Sequence, residues 1–171
     1  MSCHLTSNFK QIMPEHSFDG FDRKILDALQ TDARLSNVEL AERIGLSPSP
    51  CLRRVKLLEE RGVIEGYQAR LDRDAIGLGL TVFVDVKVER HSESSAETFK
   101  AAVLSLPEVI SAHLVSGAAD FLLQVVVPDL KAYERFLTQV LLKIPGISDI
   151  RSNFAIQTLK QQGALPLGHL R

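Results

Sequence analysis

The spacing of apolar residues changes once along the chain, and that change restricts the fold more than any other feature. From Phe18 to about Gly62 apolar side chains return every three or four residues, the period of a helix. From Leu80 to Val88 they alternate, with Val82, Val84, Val86 and Val88 set against Phe83, Asp85 and Lys87. A chain written this way forms a helical unit first and a sheet-containing unit second. Its 171 residues leave room for two small domains. The predicted divisions are a leader over 1–17, a helical domain over 18–72, a linker over 73–78 and a second domain over 79–171.

Three short helices are predicted in the first domain. The first opens at Asp19 and places Phe21, Ile25, Leu26 and Leu29 on one face. Asp19 and Asp22 put negative charge at its first turn, where the helix dipole favours it. The second starts at Ser36, where Ser36-Asn37-Val38-Glu39 has the form of a capping box. Val38, Leu40, Ala41 and Ile44 are its candidate core residues, and Gly45 ends it. The third follows Ser47-Pro48, with serine as the cap and proline at the first helical position. It runs to about Arg61 and stops at Gly62. Val63–Leu71 is expected to form a short extended segment or wing.

In the second domain the predicted order is strand Leu80–Val88, helix Glu93–Leu106, strand Val109–Ser116, strand Phe121–Val127, helix Asp129–Ile144 and strand Ile147–Leu159. The buried helix faces are expected at Phe99, Ala102, Val103 and Leu106, and at Leu130, Tyr133, Phe136, Leu137, Val140 and Leu141. A β-α-β-β-α-β order describes a ferredoxin-like α+β sandwich, with two helices on one face of an antiparallel sheet. The other sheet face is expected to expose Val82, Val84 or their neighbours, which calls for self-association.

Composition narrows the function classes. Lys and Arg number 20 against 21 Asp and Glu, so any nucleic-acid contact must come from local clustering. Cys3 and Cys51 form no framework of pairs, which fits a reducing compartment; Cys51 reads as a small core residue rather than a reactive thiol. His4, His16, His91, His113 and His169 have no metal-ligand spacing. No signal sequence, membrane-length apolar run, catalytic constellation or cofactor motif is apparent. The expectation is a cytoplasmic protein with no membrane partner, no metal and no cofactor.

Two short helices joined by Gly45-Leu46-Ser47 have the spacing of a helix-turn-helix, whose second helix enters the major groove of duplex DNA. Cys51, Val55 and Leu58, spaced four and three apart, form its packing face. Ser47, Ser49, Pro50, Arg53, Arg54 and Lys56 are the candidate DNA-binding residues. Arginine can meet guanine bidentately, lysine and serine can fix phosphate, and the helix start itself favours an anion. A charged helix face is also compatible with simple solvation.

Several segments then resemble the Lrp/AsnC, or feast/famine, regulators. They are Asp22–Leu26, Leu35–Ala41 and Ile44–Val55 in the first half, followed by Phe83-Val84, His113–Gly117, Asp120–Leu123, Val127–Asp129 and Ile144–Gly146. The resemblance runs from about Phe18 to about Leu167 with order and spacing kept. It implies an N-terminal winged helix-turn-helix that binds pseudo-palindromic DNA. It also implies a C-terminal domain that binds an amino-acid effector and pairs into homodimers, which assemble to tetramers or octamers.

Residues alone leave Ser116–Asp120 open between a plain hairpin turn and a site for an α-amino acid, with backbone amides for the carboxylate and an acid for the ammonium group. The resemblance implies an effector site lined by this loop and the last strand, which makes Ser116, Gly117, Ala118, Asp120 and Ser152 the candidates. Ala118 stands where many relatives have an acid, and Ile150 and Ser152 where they often have a Thr-x-Thr pair. Both departures suggest an apolar effector such as leucine or methionine, held mainly by backbone. Two rival readings share the architecture: a sirohaem-decarboxylase-like enzyme, in which His113 would donate a proton, and an amino-acid-binding accessory protein.

Overall fold

A computed structural model of the chain describes residues 17–89, 93–161 and 163–170. Cys3, His4, His16, His91 and all of the expected leader but Ser17 lie outside the described residues. The chain divides into two compact units, one made of residues up to Ala69 together with the segment from Lys160 onward, the other of Arg70–Leu159.

The first unit holds α1 (Gly20–Thr31), α2 (Asn37–Ile44) and α3 (Pro48–Glu60). Asp19 caps α1: its Oδ1 accepts the amides of Phe21 and Asp22 at 2.8 and 2.9 Å, and Asp22 Oδ2 reaches back to the Asp19 amide. Ser36 and Glu39 exchange the same reciprocal pair at the start of α2. Gly45 then ends α2 at φ 77°, in the left-handed region that glycine enters freely. Ile25, Leu26, Ala28, Leu40, Ala41, Ile44, Cys51 and Leu58 form the core. Val38, expected there, is instead half exposed at 52%, because the capping box turns it outward at the first turn of α2. Residues 63–79 form no strand; the segment after α3 is irregular, tied back where the Tyr67 hydroxyl donates to Glu59 at 2.9 Å.

Residues 160–170 belong to this unit and not, as the sequence predicts, to the second. Leu167 and Leu170 pack against its core. The Gln30 side chain accepts the Leu165 amide at 2.6 Å and donates to the Leu165 carbonyl at 3.4 Å.

The second unit is a four-stranded antiparallel sheet of β1 (Leu80–Val88), β2 (Val109–Leu114), β3 (Phe121–Val127) and β4 (Ile147–Phe154), ordered β2-β3-β1-β4. With α4 (Glu93–Leu104) and α5 (Leu130–Gln139) it makes the expected ferredoxin-like α+β sandwich. Val82, Val84 and Val86 are fully buried with Phe99, Val103, Leu123, Val125, Tyr133, Phe136 and Leu141. The valine row thus lies in the core, and of the apolar residues expected on the open face, Val82, Val84 or their neighbours, it is the neighbour Phe83 that is exposed there. The β1 register gives the opposite face Thr81, Phe83, Asp85 and Lys87, opposed on β4 by Asn153, Arg151 and Asp149. Leu130 is 63% exposed rather than inward, since it opens α5 directly after the Asp129 cap. β4 ends at Phe154, five residues before the expected Leu159.

Candidate functional site

Two places in the fold carry the chemistry that the sequence points to, one in each unit. The first is the outer stripe of α3. Cys51, Val55 and Leu58 turn its inner face to the core, with Cys51 and Leu58 buried and Val55 half-buried. Ser49, Arg53 and Lys56 repeat the same spacing of four and three from a start two residues earlier, which puts them on the opposite side. All three are exposed, as is Ser47, while Pro50 is half-buried. Neither Arg53 nor Lys56 makes an ion pair among the described residues. The arrangement offers a planar fork, a point charge and a hydroxyl along one line facing outward.

The start of α3 differs from expectation. Ser47 sits at the cap position but makes no side-chain cap hydrogen bond. Pro48 and Pro50 have no backbone N–H, and the Cys51 amide bonds to the Ser47 carbonyl at 3.2 Å. The first turn therefore offers an anion the Ser49 amide and two serine hydroxyls, not a full set of amides. What secures this turn is Asn37, whose Nδ2 donates to the Pro48 carbonyl at 2.8 Å and so joins the starts of α2 and α3. Asn37 had no role in the sequence reading, because its partner lies in another helix and no local pattern signals the pair.

Arg54 is not on the outer stripe. Its Nη2 lies 2.7 Å from Asp19 Oδ2, and its Nη1 lies 2.7 Å from Asp22 Oδ1. Its guanidinium carbon stands 5.6 Å from the centre of the Phe21 ring. The bond to Asp22, and then that to Asp19, raises the already high pKa of the guanidinium. The Asp19 carboxyl is held below its ordinary range, chiefly by the Asp22 amide and further by Arg54. The expectation of Arg54 as a DNA-facing residue is corrected accordingly, since both of its terminal nitrogens are engaged within the protein. Burial pushes the Cys51 thiol up, which leaves it a poor nucleophile.

The second place is a hollow of about 200 Å³ on the sheet face away from the helices. Ser116 and Ala118 line it, with Val115 and Ala119 from the same loop and Asp85, Lys87, Asp149 and Arg151 from β1 and β4. Gly117 lies between Ser116 and Ala118 at φ 133°, a conformation that side-chain-bearing residues rarely adopt. The loop is closed by the Val115 amide donating to the Asp120 carbonyl at 2.9 Å and the Asp120 amide to the Val86 carbonyl at 3.0 Å.

Two expected effector residues are engaged elsewhere. Asp120 Oδ2 accepts the Val88 amide at 2.9 Å, which makes that oxygen part of the sheet margin. Ser152 pairs with Val84 in the register, which puts it on the helix-covered face, and its hydroxyl hydrogen-bonds the Tyr133 hydroxyl at 2.5 Å. In their place the structure brings two acids and two bases to the hollow. Asp85 lies opposite Arg151 and Lys87 opposite Asp149 in the ladder, and Asp85 also accepts from Asn153 Nδ2 at 3.1 Å. Alternation along β1 marks Asp85 and Lys87 as outward, but only the β1–β4 register reveals that Arg151 and Asp149 meet them. His113 is exposed, on the same sheet face by its pairing with Leu122. No three His, Cys, Asp or Glu side chains cluster as metal ligands among the described residues, and no described helix is long and apolar enough to cross a membrane.

Comparison with known proteins agrees in both halves. The family described as winged helix-turn-helix DNA-binding matches residues 18–65, and that described as Lrp/AsnC ligand binding domain matches residues 81–165. The leucine-responsive regulatory protein of Salmonella typhimurium is 45% identical over 152 residues, covering 89% of this chain and 93% of that protein. The protein of the same name from Escherichia coli K12 is 44% identical over the same length. Among solved structures, a transcriptional regulator from Neisseria meningitidis in complex with L-Met superposes with a TM-score of 0.87 at 41% identity, covering 91% of this chain and 100% of that one. An AsnC family transcriptional regulator from Agrobacterium tumefaciens gives 0.85 at 40% identity, covering 90% of this chain and 100% of its own.

Proposed function

The chain belongs to the Lrp/AsnC family of transcription regulators, and from that premise we propose that α3 reads duplex DNA through Ser47, Ser49, Pro50, Arg53 and Lys56 under the control of a bound amino acid. It is a DNA-binding transcription regulator with an amino-acid-binding domain. The observation that carries the DNA-reading assignment is the exposed stripe of Ser49, Arg53 and Lys56 opposite a buried stripe of the same helix. An exposed Arg53 suits a guanine edge, while Lys56 and the serine hydroxyls suit phosphate oxygens.

The effector we propose is leucine or methionine, in the hollow beside Ser116, Gly117 and Ala118. The names of the leucine-responsive relatives and the L-Met complex of the Neisseria regulator support this choice. So does the setting, where small loop side chains leave room beside charges of both signs for a zwitterion. We read the working unit as a homodimer that builds tetramers or octamers, and its sites as pseudo-palindromic, since a twofold protein matches a twofold site. Leu104 and Leu114, 85% and 71% exposed, flank an apolar cleft of about 270 Å³ beside the edge strand β2 and favour association there. Its place of action is the compartment that holds the DNA, and we assign it no reaction, in keeping with relatives that are regulators.

The test is anisotropy titration of a duplex selected from a random-sequence pool by the unmodified chain. Arg53→Ala should weaken binding by about 1–3 kcal/mol and relax preference at one position. Leucine or methionine should shift the titration, and glutamate or lysine should not. Salt-independent binding, or an Arg53→Ala variant that titrates like the parent, would remove α3 as the reading helix.

A further inference from the structure

The two acids at the start of α1 each divide their oxygens between two tasks. Asp19 uses Oδ1 for the amides that cap α1 and Oδ2 for Arg54; Asp22 uses Oδ2 for the Asp19 amide and Oδ1 for Arg54. The capping box of one helix is therefore also the receptor for a guanidinium carried by another, 32 residues further along from Asp22. The Asp22 and Arg54 side chains are only 14% and 27% exposed, and the Phe21 ring covers the guanidinium from one side. A planar fork held at two points and against a ring resists rotation of the helix that carries it, which a single lysine charge would not.

We propose that Arg54 is a positioning residue for DNA reading: with Asp19 and Asp22 it fixes the rotation of α3 about its axis, so that Arg53 and Lys56 meet the groove at one angle. Arg54 directly follows the proposed base-reading Arg53, a step of about 100° around the helix. A slip in that rotation carries Arg53 off the base edge while leaving the total positive charge of the helix unchanged. This inference rests on α3 being the reading helix, and Arg53→Ala tests that reading separately.

The geometry sets two expectations against each other. If Arg54 served DNA directly, neutralising an acid beside it would free a cation and remove a repulsive charge, and binding would tighten. If Arg54 positions the helix, the same substitution loosens it, and sequence-specific binding weakens. Asp22→Asn, Arg54→Lys and the double variant are titrated against the selected duplex and a scrambled duplex, at a temperature where circular dichroism shows each to be folded. Each single substitution should weaken binding to the selected duplex by about tenfold. Binding to the scrambled duplex should not weaken in either single variant, since nonspecific affinity follows charge rather than orientation and neither substitution removes a positive charge.

The double variant should lose no more than the weaker single variant, because one linkage cannot be broken twice. Tighter or unchanged binding of Asp22→Asn to the selected duplex overturns the proposal, and so do additive losses. An equal fall on both duplexes also overturns it, since that marks a loss of folded protein rather than of orientation. Should Asp22→Asn fail to fold, Asp19→Asn replaces it under the same criteria; asparagine caps a helix as well as aspartate does, so it breaks only the ionic half of the contact. If Arg53→Ala is without effect, the reading of α3 falls and not the linkage.

Discussion

At the scale of single residues, position in space separates groups that composition treats alike. Arg53 and Arg54 are chemically identical neighbours, yet one is exposed and the other is held between two carboxylates 2.7 Å away. Asp120 and Ser152 show the same divergence: both are polar residues near the expected effector site, and both are bonded to structural partners, Val88 and Tyr133. Gly117 is different because its backbone, not its surroundings, restricts what can stand there. At φ 133° a Cβ meets nothing within 4 Å, so any cost of adding one is conformational. Gly117→Ala is expected to lower stability by about 1–3 kcal/mol, read from the urea unfolding midpoint with the slope unchanged. A midpoint equal to that of the parent would show that the loop relaxes to another conformation without cost.

At the scale of elements, much of the architecture was legible. The capping box at Ser36, the glycine stop at Gly45 and the alternation of Leu80–Val88 are local patterns, and each specifies its element through groups a few residues apart. Ser36→Ala should remove about 1 kcal/mol of stability, seen as a lower thermal midpoint, because it leaves the Glu39 amide without its partner. An unshifted midpoint would mean that water replaces the hydroxyl in full. What was not legible is which side of each element faces what. Alternation shows that Val82 and Asp85 point to opposite faces of β1, but not which face the helices cover. That depends on α4 and α5 crossing one side only, a property of the connections rather than of the strand. The hollow beside Ser116 and Ala118 suffers most from this limit. Its loop stood out by glycine and small residues, whereas Asp149 and Arg151 came into place through the pairing of β4 with β1. The exposed stripe of α3 was easier to find because a single helix carries it whole.

At the scale of the molecule, the return of residues 160–170 to the first unit is the feature furthest from any local signal. Gln30 and Leu165 are 135 positions apart, and Leu165-Pro166-Leu167 has no period that would announce a partner. The chain therefore leaves the first unit after Ala69, builds the sheet and comes back, so that the first unit is closed by both ends of the described sequence. Deleting residues 163–171 tests this closure. Leu167 and Leu170 are partly buried against the core, and their removal, with both hydrogen bonds to Gln30, should cost the first unit about 2 kcal/mol. Amide hydrogen exchange resolves the units separately: α1 should exchange faster in the truncated chain, by the factor of about thirty that 2 kcal/mol implies, while β1 and β3 keep their parent rates. Faster exchange in both units would make the tail a support of the whole chain. Unchanged exchange in α1 would mean that the helices hold their own core and that the tail only rests on it.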